Sequence, residues 1–146
     1  MSTVIRRSAA LASVLVFLVL EGCSSAASPV VADFPAAPLV TATTASGALR
    51  VEVRTSPQPL ARGTNDLQLT VTDASSGAVR DDLKVSVQPW MPAMNHGASA
   101  VPTVTPQGDG KYLVTEVDLF MPGRWELRMS LTASSPDDVV VASDIP

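Results

Sequence analysis

From residue 49 onward apolar and polar residues alternate with a period of two, in short runs broken by turn residues. Leu49, Val51 and Val53 alternate with Arg50, Glu52 and Arg54, and Leu67, Leu69 and Val71 with Gln68, Thr70 and Thr72. Leu83, Val85 and Val87 alternate with Lys84, Ser86 and Gln88, and Trp125, Leu127, Met129 and Leu131 with Glu126, Arg128 and Ser130. Successive side chains of a strand point to opposite faces, so each run describes a strand with one buried face. Weaker runs cover Ala98 to Thr105, Lys111 to Met121 and Val139 to Ala142. Ser56-Pro57-Gln58-Pro59, Asp73 to Gly77, Gly108-Asp109-Gly110 and Met121-Pro122-Gly123-Arg124 supply the turns, the last with Pro at i+1 and Gly at i+2 as in a type II turn. About seven short strands at roughly ten-residue spacing, with no helical period among them, predict an all-β, immunoglobulin-like antiparallel β-sandwich. The Cys pair of that fold and its companion Trp are missing from the pattern, so the sandwich is expected to be disulfide-free.

The first 46 residues read differently. Arg6-Arg7 precede an apolar run from Ala9 to Leu20, too short for the roughly 20 apolar residues that span a bilayer, and therefore a signal peptide core. Leu20-Glu21-Gly22-Cys23 follows it and resembles the lipobox of bacterial lipoproteins, with Glu21 where smaller residues are usual. The resemblance implies cleavage after residue 22 and acylation of Cys23, the only cysteine, which would otherwise be a free thiol in an oxidising compartment. Residues 23–46, rich in Ala, Ser, Pro and Thr, have no periodic apolar face and are expected to form a flexible tether. The expected organisation is a lipoprotein signal peptide over 1–22, a tether over 23–46 and one sandwich domain over 47–146. Ser24-Ser25 carry no Asp of the kind that retains lipoproteins at the inner membrane, which points to the outer membrane in a Gram-negative host, or otherwise to the cell surface.

Charge excludes some partners. The formal charge is −4, and loss of residues 1–22 removes two positive charges and one negative, leaving −5. No basic patch or basic amphipathic helix offers a nucleic-acid or membrane surface, so membrane contact is expected through lipid alone. Asp81-Asp82 and Asp137-Asp138 flank strand-like runs and read as solvated turn residues. Catalysis is not expected either. A single His, no free mature Cys, no His-Glu-x-x-His and no glycine-rich phosphate loop leave no triad, zinc hydrolase site or nucleotide cradle to assemble.

The remaining chemistry lies in Trp90-Met91-Pro92-Ala93-Met94-Asn95-His96-Gly97, two thioethers and the chain's one imidazole within six positions. Thioether sulfur and imidazole nitrogen are soft and borderline donors that select copper, Cu(I) above all. If successive strands run antiparallel, the loop carrying Met91, Met94 and His96 lies at the same end of the sandwich as the loop carrying Met121. The first strand would then start at the opposite end, where the tether attaches. Met91 shares parity with Val85 and Val87, and Met121 with Val117 and Leu119, so both also suit the core as flexible gap fillers. Met94 and His96 lie beyond the strand, where no core is available to bury them. Met129 alternates within a strand and reads as core. Trp90 fits either a shield for the site or packing beneath the loop.

The order Pro89 to Gly97, then Gly110-Lys111-Tyr112, then Met121-Pro122-Gly123-Arg124-Trp125-Glu126-Leu127 resembles the YtkA-like domain, related to FixH-family proteins. The likeness covers about Leu49 to Val141. It implies an extracytoplasmic, membrane-tethered immunoglobulin-like sandwich associated with copper handling, heavy-metal efflux or assembly of copper oxidases. The family's Met-Pro-x-Met-x-His stretch falls on Met91, Pro92, Met94 and His96, and its Met-Pro-Gly-x-Trp turn on Met121 to Trp125. Two functions stay open at this level. One is a module that binds or hands over copper through Met91, Met94, His96 and Met121. The other is a metal-free interaction domain whose Met-Pro-Met loop contacts a membrane complex.

Overall fold

The computed structural model of the protein describes residues 32–146; the segment read as a signal peptide, Cys23 and the segment read as a tether as far as residue 31 lie outside them. The strands are β1 (Val40–Thr43), β2 (Leu49–Ser56), β3 (Gly63–Asp73), β4 (Lys84–Met91), β5 (His96–Gly97), β6 (Thr103–Gly108), β7 (Lys111–Leu119), β8 (Gly123–Thr132) and β9 (Pro136–Ile145). They form a five-stranded sheet in the order β1-β2-β3-β7-β6 and a four-stranded sheet in the order β5-β4-β8-β9. Every pairing is antiparallel. The alternating apolar residues do what their period dictates. Val51, Val53, Leu67, Leu69, Val71 and Val114 of the first sheet and Val87, Leu127, Met129 and Leu131 of the second join one buried cluster. Each such side chain contributes about 1.5–3 kcal/mol on burial, and together they hold the sandwich without a disulfide.

Several expectations are corrected. β1 lies inside the segment read as tether, and pairs from Val40↔Val53 to Thr43↔Arg50, so the folded body begins before residue 47. The cause is backbone pairing with β2 at an otherwise open edge, which needs no strong apolar pattern. β1 starts at the end of the sandwich reached by the C-terminus of β2. There the Arg54 guanidinium donates to the Ala36 carbonyl and the Gln58 amide to the Ala37 carbonyl. That is also the end where β4 and β7 finish, so the chain enters at the Met/His end rather than opposite it. The strand read at Ala98 to Thr105 begins only at Thr103, because Pro102 and the small residues before it form a loop.

A core tryptophan is present after all. Trp125 is fully buried at the start of β8, and its indole N–H donates to the Met121 carbonyl at 2.9 Å. β7 contains a bulge: Leu67 pairs with Val114 but Asn65 pairs with Val117, and Glu116 sits at φ 64. The extra residue switches the buried parity from Tyr112 and Val114 to Val117 and Leu119.

The segment joining β3 to β4 crosses from one sheet to the other and is pinned by Gly110-Lys111-Tyr112. The buried Tyr112 hydroxyl donates to the Arg80 carbonyl at 2.8 Å and accepts from the Leu83 N–H at 3.3 Å. Burial raises its pKa above the ordinary phenol value.

Turn carboxylates set the acid behaviour. Hydrogen bonds from the Ser75 hydroxyl, with Ser76, hold Asp73 well below the usual carboxylate range. Arg80 lowers Asp82, and the Ser46 hydroxyl lowers Asp137. A carboxylate depressed in the folded state contributes stability that is fully present above its unfolded pKa of roughly 3.9 and is lost as pH falls through the folded value. The melting temperature is therefore expected to be nearly level from neutral pH down to about pH 5 and to fall below about pH 4. Asp73→Asn should make that fall shallower. A wild-type melt that stays level throughout the acid range would contradict the assignment.

Candidate functional site

β4 ends on Met91, and Pro92–Met94 turn at once into a single 3-10 turn. Pro92 suits the first position of such a turn because its fixed φ is already helical and its missing N–H would have had no partner. Asn95 ends the turn at φ 54, with its N–H on the Pro92 carbonyl. The chain then returns beside β4 as β5, placing His96 opposite Met91 and Gly97 opposite Trp90. Gly97 has no room for a side chain, since a Cβ there would stand 2.9 Å from the Pro89 carbonyl oxygen.

The expected gathering at one end is observed, with different exposures for each member. Met91 is 4% exposed and belongs to the core, with its terminal methyl 3.5 Å from where a Cβ on Gly123 would lie. It therefore reaches the turn that carries Met121. Met121 is half-buried and packs on the same core. Met94 is 57% exposed. His96 is half-buried, and its Nδ1 lies 3.0 Å from the Gly97 carbonyl oxygen. A carbonyl only accepts, so Nδ1 carries a proton, and in the neutral ring Nε2 is left with its lone pair, the arrangement in which an imidazole ligates metal. Met129, read as core, is buried. Trp90 is on the outer face of its sheet, with the Arg128 guanidinium 4.7 Å above its ring centroid and its ring 3.5 Å from where a Cβ on Gly97 would lie.

Two residues at this end were missed in the sequence. Phe120 stacks on His96 with ring centroids 6.0 Å apart and planes 9° from parallel, and meets Trp125 edge-on at 5.5 Å. Its carbonyl accepts from the guanidinium of the second, Arg62, at 3.0 Å. The one signal was an aromatic just past the end of a strand leading to the Met121 turn. Among the described residues no group of three or more His, Cys, Asp or Glu could hold a metal ion. The thioethers of Met91, Met94 and Met121 and the imidazole of His96 at this end are donor types that suit copper better than hard cations.

No curated protein matches the sequence. Among solved structures, the copper-bound form of a variant of FetP from uropathogenic Escherichia coli superimposes with a TM-score of 0.51 at 10% identity, covering 74% of this chain and 95% of that one. FetP of the same organism, isolated after expression in the periplasm, superimposes with a TM-score of 0.50 at 9% identity, covering 72% and 91%. At such identities the likeness concerns the fold. The family model described as YtkA-like matches residues 43–130, more than half of the sequence, and the chain therefore belongs to the YtkA-like family.

Proposed function

We propose that this chain is an extracytoplasmic, lipid-anchored, non-enzymatic module that binds copper, Cu(I) in preference to Cu(II), and hands it to a copper-handling, efflux or oxidase complex of the membrane. The observation that carries the reading is the orientation of His96. Its Nδ1–H is satisfied by the Gly97 carbonyl, which leaves Nε2 of the neutral ring as a donor two residues along the chain from the exposed Met94 and opposite the strand position of Met91. His96 and Met94 form the accessible half of the site, and Met121, half-buried, is the next donor. Met91 serves first as core and ligates only if its sulfur is reached from beneath the loop. The copper-bound state of the FetP variant is support of a coarser kind, since it attaches copper to the fold and not to these residues.

A competition titration of the mature protein with Cu(I) and a chelator tests the reading. Single-site retention at micromolar protein is expected, and copper lost to a weak competitor would overturn it. The burial of Met91 favours the second reading, a metal-free interaction domain, and that result would leave it standing.

Anchoring is tested separately. Cys23→Ser should move the protein from the membrane fraction to the soluble fraction with an unchanged melt, since the strands of the sandwich run from Val40 to Ile145. Continued membrane association of that variant would refute the lipid anchor.

A further inference from the structure

We propose that Phe120 is the positioning residue for His96, holding the plane of the imidazole in which Nδ1 meets the Gly97 carbonyl in the metal-free protein; this rests on the copper reading for its purpose but not for its geometry. The χ2 torsion of histidine is broad, and a tilt of the ring out of its present plane would carry Nδ1 away from the Gly97 carbonyl and lose the bond that selects this orientation over its half-turned counterpart. The two-residue strand β5 gives the ring little support of its own. Phe120 supplies a flat face parallel to it, within the offset-stacking range for aromatic pairs.

Phe120 is itself held from both sheets. Arg62, just ahead of β3 in the five-stranded sheet, binds its carbonyl. Trp125, on β8 in the four-stranded sheet, packs edge-on against its ring and binds the next carbonyl, that of Met121. The stack is therefore attached to the rigid part of the sandwich, while Met94 beside it stays exposed. A preset imidazole loses less freedom when a ligand arrives, so affinity gains without a new contact.

The test compares Phe120→Leu, which keeps apolar volume but has no flat face, with Phe120→Tyr, which keeps the face. Nitrogen-detected NMR of the metal-free protein in mildly alkaline buffer reads the tautomer of the single histidine directly. Wild type and Phe120→Tyr are expected to show one dominant Nδ1–H form. Phe120→Leu should show an average of both tautomers and a Cu(I) affinity lower by roughly 10-fold, the usual scale for losing the group that orients a ligand. An unchanged tautomer in a folded Phe120→Leu protein would overturn the proposal, as would loss of the Nδ1–H form in Phe120→Tyr. If wild type retains no Cu(I), the copper reading fails while the tautomer comparison still decides the role of Phe120. If Phe120→Leu does not fold, Arg62→Gln provides the second measurement. It frees the Phe120 carbonyl without altering the ring, and should broaden the His96 signals; sharp, unchanged signals there would overturn the proposal.

Discussion

Met94→Ala is expected to lower Cu(I) affinity about 100-fold, or about 2.8 kcal/mol, with no change in melting temperature. The two halves of that result come from one fact, the 57% exposure of the Met94 side chain in a three-residue turn. Truncating an exposed side chain away from caps and strained backbone usually shifts stability by no more than about 0.5 kcal/mol. A lost thioether, by contrast, cannot be replaced from nearby, because Met91 is buried and Met121 is already half-buried against the core. His96→Ala should lower the affinity as well, since it removes the only imidazole of the chain. Competition titration and thermal melts of the same samples decide the matter. Unchanged affinity in Met94→Ala would exclude the loop as the copper site, even if the protein binds copper elsewhere.

The other two methionines separate ligand from core by the same pair of measurements. Met91→Ala removes a core side chain and should cost about 2–5 kcal/mol of stability, which makes its copper phenotype ambiguous taken alone. Met121→Ala is decisive: affinity lost with an unchanged melt makes it a ligand, and a lowered melt with unchanged affinity makes it core.

How far the sequence speaks depends on whether a feature is local. The alternation of Leu67, Leu69 and Val71 or of Leu127, Met129 and Leu131 is local, and both runs fold as read. The common end for Met91, Met94, His96 and Met121 follows from strand parity alone, and the parity of Met91 with Val85 and Val87 agrees with its burial. β1 is illegible because Val40, Thr41, Ala42 and Thr43 acquire their order from β2, and their composition matches that of a tether. The same strand reverses the expected end of chain entry. The bulge at Glu116 is hidden because the shift shows only against β3, in the pairs Leu67↔Val114 and Asn65↔Val117. The stack of Phe120 on His96 joins the two-residue strand β5 to the turn after β7, 24 positions apart, and no periodicity within either segment encodes it.

Gly110 gives the largest expected loss of stability from a single methyl group. It sits at φ +69, where a side chain is disfavoured, and a Cβ would stand 2.6 Å from the Val71 carbonyl oxygen, closer than real Cβ atoms come. That oxygen cannot simply retreat, because it accepts the Arg80 N–H at 3.0 Å, while the Val71 N–H donates to the Gly110 carbonyl at 2.8 Å. On its other side the Gly110 N–H donates to the Asp81 carboxylate at 2.6 Å. Gly108 is the internal control, at φ +82 with nothing within 4 Å of where its Cβ would lie. Gly108→Ala should therefore cost only the positive-φ penalty, about 1–2 kcal/mol. Gly110→Ala adds displacement of backbone shared by β3, β7 and the crossover, and should cost at least about 3 kcal/mol, with a drop in Tm of roughly 12 °C or more for a domain of this size. Equal melts for the two variants would show that the contact relaxes freely and that the Gly-Lys-Tyr pin is dispensable. The crossover leads into the start of β4, whereas Met91 lies at its far end. The folded fraction of Gly110→Ala should consequently keep wild-type Cu(I) affinity, which places the stability of the sandwich and the chemistry of its Met/His end under separate control.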